Sequence, residues 1–228
     1  MDIELSGIYK SFMEGGRSLT VLEDLKVSFP AHRFSVILGK SGSGKSTVLN
    51  LISGIDTPEK GSIRIGEHQV SEMSDYERTL FRRRHIGFIF QFFNLIPTLT
   101  VLENVMLIPE LEGKGHRSNR ERAESMLEKV GLKDRLKSTP DNLSGGEQQR
   151  TALARALAHE PDIILADEPT GNLDQETGAL VMDLMLNLCR EKGKTLVMAT
   201  HSHEVLSQAD LVFGIQEGTL IQQKDASL

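Results

Sequence analysis

Apolar residues along this chain follow a strand-like pattern at both ends and a helical one in the middle. Residues 2–9 and 18–29 are rich in β-forming side chains, with Gly15-Gly16 marking a turn between them. Residues 34–38 form a short, nearly continuous apolar run, the mark of a buried strand. A helix is expected over 45–53, ended by Gly54. It is followed by a turn at 58–61, a strand at 62–65, a helix around 75–84 and a strand at 86–90. From about Thr100 to Ala158 the spacing is helical, with Met126, Leu127 and Val130 recurring on one face. Breaks are expected at Pro109, Gly113, Gly115, Gly131 and Pro140. The last third alternates again: strands at 162–166, 195–199 and 211–215, and helices at 176–192 and 202–208. Such alternation predicts an α/β fold with a mostly parallel core sheet, an N-terminal antiparallel β region and a helical insertion.

Bulk properties narrow the class. The chain has 228 residues, 39% apolar and 25% charged, which is ordinary for a globular domain with a sizeable core. No apolar run approaches the ~20 residues needed to span a bilayer. Met1-Asp2-Ile3-Glu4 lacks the basic start of a secretory leader, so none is expected. The single cysteine, Cys189, has no partner for an internal disulfide, which fits a reducing compartment. A net charge of −6 is the wrong sign for a protein that grips phosphate backbones, so no nucleic-acid partner is expected. The basic run Arg82-Arg83-Arg84-His85 reads as a solvated helix end whose cations suit the C-terminal dipole.

Chemistry is concentrated in a few places. Gly39-Lys40-Ser41-Gly42-Ser43-Gly44-Lys45-Ser46 matches G-x-x-x-x-G-K-[ST], with an apolar strand before it and a helix after it. Glycines let successive N–H groups turn into one anion-binding concavity, and the following helix adds its dipole. Lys45 can then reach the β- and γ-phosphates, and Ser46 can ligate Mg²⁺. The strand Ile163-Ile164-Leu165-Ala166 ends in Asp167 and Glu168. A parallel strand delivers its last residues to the ligand crevice, where Asp167 can hold Mg²⁺ and Glu168 can polarise a water.

Leu143-Ser144-Gly145-Gly146-Glu147 opens a further helix. Ser144 and Glu147 have capping-box spacing, which explains those two residues alone. Two exposed glycines in a first turn, each costing helix stability of ~1 kcal/mol, point instead to close approach of a phosphate. Gln91 and His201 each follow a predicted strand at the same sheet edge.

Taken in this order, the motifs resemble the ABC ATPase family of P-loop NTPases over essentially the whole chain. Gln91 matches the Q-loop glutamine, Leu143–Glu147 the signature, Asn172-Leu173-Asp174 the D-loop and His201 the switch histidine. Residues 90–97 and 167–174 look like the lipoprotein-release, macrolide-exporter and cell-division branch (LolD/MacB/FtsE-like).

The resemblance implies one ABC ATPase domain over 1–228, with a β subdomain and core in 1–90 and 159–228. A Q-loop and signature subdomain would occupy 91–158. It also implies a homodimer around two Mg-ATP, with Phe12 on adenine and Gly39, Ser41, Gly42, Ser43, Gly44, Lys45, Ser46 and Thr47 around the phosphates. Ser144, Gly145 and Gly146 would be supplied by the other copy. Glu168 would be the base, His201 and Lys45 would hold the γ-phosphate, and Ser46, Gln91 and Asp167 would serve Mg²⁺. Phe12 stands where tyrosine is usual and keeps the stacking face, while His32-Arg33 replaces a common Gly-Glu turn. A membrane permease of the FtsX/MacB type would dock near residues 91–110, at the cytoplasmic face of the membrane. Two other readings are a nucleotide-gated regulatory ATPase and a soluble ABC ATPase acting on DNA or ribosomes. The second lacks support, because the chain has neither a long coiled-coil insertion nor a second ATPase unit.

Overall fold

A computed structural model describes residues 1–113 and 115–223. In chain order the elements are β1 (Ile3–Glu14), β2 (Arg17–Phe29), β3 (Phe34–Leu38), α1 (Lys45–Ile52), β4 (Lys60–Ile65) and β5 (His68–Gln69). Then come α2 (Asp75–His85), β6 (Ile86–Ile89), α3 (Val101–Leu111), α4 (His116–Lys129) and α5 (Gly145–Leu157). The chain closes with β7 (Ile163–Asp167), α6 (Gln175–Glu191), β8 (Thr195–Thr200), β9 (Leu211–Gln216) and β10 (Thr219–Gln222).

Two sheets organise these elements. One is antiparallel, in the order β2-β1-β4-β5. The other runs β10-β9-β3-β8-β7-β6, parallel throughout except where β10 turns back along β9. The sheet is covered on both faces, and the period-2 alternation of its strands feeds two separate cores. Val36 of β3 belongs to the core that includes Leu127, Leu153 and Met185 on the helical side. Its neighbour Ile37 belongs to the core that includes Leu5, Leu25 and Leu49, towards the antiparallel sheet.

Register positions the site. Leu38 lies opposite Thr200, Asp167 opposite Ala199, and Ala166 opposite Ile89. Parallel strands with helical crossovers therefore deliver the segments after β3, β6, β7 and β8 to one edge. Among the described residues, no helix is long and apolar enough to cross a membrane.

Two expectations about local structure fail. Pro109 does not break its helix but lies inside α3. It falls near the end, where little of the ladder is lost, and its carbonyl accepts from the buried Asn119 Nδ2 at 3.1 Å. The helix expected over 202–208 is only a 3₁₀ turn at Leu206–Gln208. Here Ser202 N–H donates to Thr200 Oγ1 (3.0 Å) and Glu204 N–H to Ser202 Oγ (3.3 Å), so side-chain oxygens replace the helical acceptors.

Candidate nucleotide-binding site

A cavity of about 330 Å³ opens where these strand ends meet. Phe12 and Val21 line one end of it, and Ser41, Gly42, Gly44, Lys45, Ser46 and Thr47 form one wall. Gln91, Asp167, Glu168 and His201 complete the lining.

The glycine-rich loop does different jobs at different glycines. Gly42 (φ 78°) and Gly44 (φ 100°) occupy the left-handed region, which strains any other residue. A Cβ on Gly44 would lie 2.8 Å from Val21 Cγ1, whereas one on Gly42 meets nothing within 4 Å. Gly39 and Ser43 do not line the cavity. A Cβ on Gly39 would run into Ile215 and Ser43, so packing alone demands that glycine. Gly44 is the N-cap of α1 and supplies no side-chain acceptor to its first amides.

Lys45 is buried, and its ammonium donates to the carbonyls of Gly39 (2.8 Å) and Lys40 (3.1 Å). It stands 3.5 Å from Glu168 Oε1. The loop thus holds the cation in place and balances it only partly.

The two acids differ. Burial pushes the Asp167 carboxyl above the ordinary range, and the Glu168 charge adds to this. The Ser46 hydroxyl, hydrogen-bonded to Asp167, and the Lys45 charge pull the other way. Asp167 Oδ1 is buried with no hydrogen-bond partner among the described residues. A buried carboxylate oxygen beside a hydroxyl is a hard-oxygen donor set of the kind Mg²⁺ takes, so these residues fit that ion.

Glu168 has φ 45°, an uncommon conformation for a residue with a side chain. Its N–H donates to Ala199 O (2.9 Å), and its carbonyl accepts from Gly171 N–H (3.1 Å). Its carboxylate pairs with His201 Nδ1 at 2.9 Å and accepts from Thr200 Oγ1 at 3.1 Å.

Ser144, Gly145 and Gly146 are not part of this cavity. Their helix, α5, carries a complete capping box. Ser144 Oγ accepts from Glu147 N–H (3.3 Å), and Ser144 N–H donates to Glu147 Oε2 (2.8 Å). Only Gly145 is exposed; Gly146 is buried, and a Cβ there would run into Thr177. The expectation of two exposed glycines is therefore corrected at Gly146, where helix packing accounts for the residue.

Several contacts add to what the sequence indicates. Thr200 holds the Glu168 carboxylate, and its place beside His201 at a strand end was the available signal. Asn172 Nδ2 donates to Gln91 O (2.8 Å), joining the segments after β6 and β7. Arg155 donates to the carbonyls of Phe93 (2.8 Å) and Asn94 (2.5 Å), both left-handed at φ 56° and 50°. No sequence pattern marks either pair, since each donor meets a backbone acceptor more than 60 positions away.

A second, apolar groove of about 350 Å³ lies away from the first cavity. Phe88, Phe90, Leu107, Ile108 and Leu111 are among its walls, with Arg82 and Arg83 at its edge. Those arginines are half-buried rather than solvated. Arg82 reaches the carbonyls of Ser53 and Gly54, and Arg83 that of Leu111 (3.0 Å). Phe92 is 72% exposed and Ile96 lies at the surface, whereas Phe93 and Leu95 are half-buried.

Comparison with known proteins agrees with this architecture. The sequence model of the ABC transporter family matches residues 22–171. An ABC transporter ATP-binding protein of Mycobacterium tuberculosis is 52% identical over 219 residues, 96% of this chain and 88% of that protein. The lipoprotein-releasing system ATP-binding protein LolD of Legionella pneumophila is 43% identical, covering 93% of this chain and 94% of its own length. The structure superimposes with a TM-score of 0.90 on a dimeric ATP-binding cassette in a post-hydrolysis state bound to ADP and Pi. That cassette is 39% identical, with 97% of this chain and 98% of the other covered. The motif order, the sheet edge that gathers the motifs and these likenesses all lead to one conclusion: the chain belongs to the ABC transporter family, as one of its ATP-hydrolysing subunits.

Proposed function

We propose that two copies of this chain clamp two Mg-ATP molecules, and that hydrolysis drives a separate membrane permease. The observation that carries this reading is the separation of the phosphate-binding parts. The loop, the acids and His201 share one cavity, while the signature turn of the same chain lies outside it. A second copy can supply the missing turn, and the similar cassette solved as a dimer with ADP and Pi supports such pairing.

In this reading the amides around Gly42 and Gly44 cradle the phosphates, and Lys45 pairs with the terminal ones. Phe12 offers its ring face to adenine. Ser46 and Asp167 would hold Mg²⁺, with Gln91 nearby, and the ion when bound would neutralise charge that develops on the phosphates. Glu168 accepts a proton from the attacking water. Thr200 bonds its Oε2 and His201 its Oε1, which fixes the carboxylate plane. With Nδ1–H given to the Glu168 carboxylate, His201 would donate towards the γ-phosphate when Nε2 carries a proton as well. Ser144 caps its helix through an oxygen lone pair, and its O–H, which bonds the Glu147 carboxylate within the chain, can turn to the partner's γ-phosphate. The apolar groove between Phe88 and Leu111 suits a short helix of the permease, of the FtsX/MacB type, at the cytoplasmic membrane face.

Glu168→Gln tests the assignment of the base. Turnover should fall by about 10²-fold or more while ATP binding persists. Wild-type turnover in that variant removes Glu168 from the role.

A further inference from the structure

Helix α5 is tied to the Glu168 turn by a buried amide. Gln149 is fully buried, and its Nε2 donates to the carbonyl of Pro169 at 2.5 Å. That acceptor fixes the orientation of the amide, because the flipped form would set oxygen against oxygen. Pro169 directly follows Glu168, whose left-handed backbone persists only where its surroundings impose it. One turn earlier on the same helix, Gly146 packs against Thr177 with no room for a Cβ. The first turns of α5 therefore meet the 168–177 segment at two points.

The amide is held for a single bond: its Oε1 is buried with no partner among the described residues, while its Nε2 serves the Pro169 carbonyl, which an apolar side chain of the same shape would deprive of this donor. We infer that Gln149 is a positioning residue for Glu168 and links each signature turn to the base of its own chain. The inference rests on the paired-site reading above. Ser144 meets the partner's nucleotide, while Gln149 on the same helix holds the turn that aims this chain's base. Engagement of nucleotide at one site then sets the base at the other, and the two sites turn over cooperatively.

Gln149→Met keeps the volume and removes the donor. The variant should bind ATP with wild-type affinity and, combined with Glu168→Gln, should still dimerise on Mg-ATP. Its turnover should fall about tenfold or more, and its Hill coefficient for ATP should drop to about 1 from a wild-type value above that. A purely structural role would lower only the melting temperature; unchanged turnover and Hill coefficient per folded molecule overturn the inference. A non-cooperative wild-type enzyme overturns it as well.

If Gln149→Met does not fold, hydrogen exchange on the ATP-trapped Glu168→Gln dimer decides. Amides at 145–150 and 170–174 should gain protection together, and protection of the first group alone contradicts the link. Failure of the paired-site reading looks different: the Glu168→Gln chain, with Gln149 intact, would not dimerise at all.

Discussion

Helices α1 and α5 both begin in glycine–serine sequence, yet they treat their first amides in opposite ways. Helix α1 starts at Gly44, which offers no side-chain acceptor, and its neighbour Lys45 is buried among loop carbonyls. Helix α5 starts at Ser144 with a capping box that closes on itself. A helix N-terminus with no side-chain cap is a standing site for an anion, whereas a capped one is stable unaided. On the proposed reading, the difference separates an end that would grip phosphate by backbone and charge from one that would contribute a hydroxyl from a rigid support. It also fits the cavity's lining, which holds the loop but not the Ser144–Gly146 turn of the same chain.

Variants at the two termini should separate these roles. Lys45→Ala removes the cation at the gripping end, and nucleotide affinity measured by calorimetry should fall by about tenfold or more. Unchanged affinity would make the two helix ends equivalent. Gly146→Ala drives a methyl into Thr177 and should cost about 1–3 kcal/mol of stability in denaturant titrations. Turnover should fall with it, while binding of ATP to the monomer is spared. Ser144→Ala loses the cap, worth about 1 kcal/mol, and also the O–H. Its turnover should therefore drop further than its stability does.

The smallest effect concerns pH. Bonding from Ser144 N–H, opposed by partial burial and aided by the Ser144 hydroxyl and Arg135, holds the Glu147 carboxyl below its usual value of 4.5. A depressed folded value means its stabilisation is complete above pH 4.5 and is lost as pH falls through the folded value. Glu147→Gln should flatten that part of the acid unfolding curve, because a neutral amide has nothing to protonate there.

Much of this was legible in the sequence because the signals were local. Residues 34–38 are a strand with the expected bounds, since a continuous apolar run flanked by a turn and a glycine loop admits little else. That the glycine-rich loop and the acid pair meet in one cavity was readable too, because each directly follows the apolar run of a strand in the same sheet. What escaped was long-range or contingent. The short edge strands β5 and β10 carry little apolar pattern. Residues 202–208 have helical composition, but Ser202 and Thr200 capture the amides that a helix needs. Gly146 is set by a threonine 31 positions on, and Gln149 by a carbonyl 20 positions on. Nothing near either residue announces the partner.

The central claim is that nucleotide is shared between the cradle of one chain and the signature of another. Light scattering on the Glu168→Gln chain tests it most directly. With Mg-ATP the particle should double from the 25.3 kDa of one chain, and adding Ser144→Arg should abolish the doubling while ATP still binds. A particle that stays monomeric at saturating Mg-ATP, or one that doubles regardless of Ser144→Arg, contradicts the account.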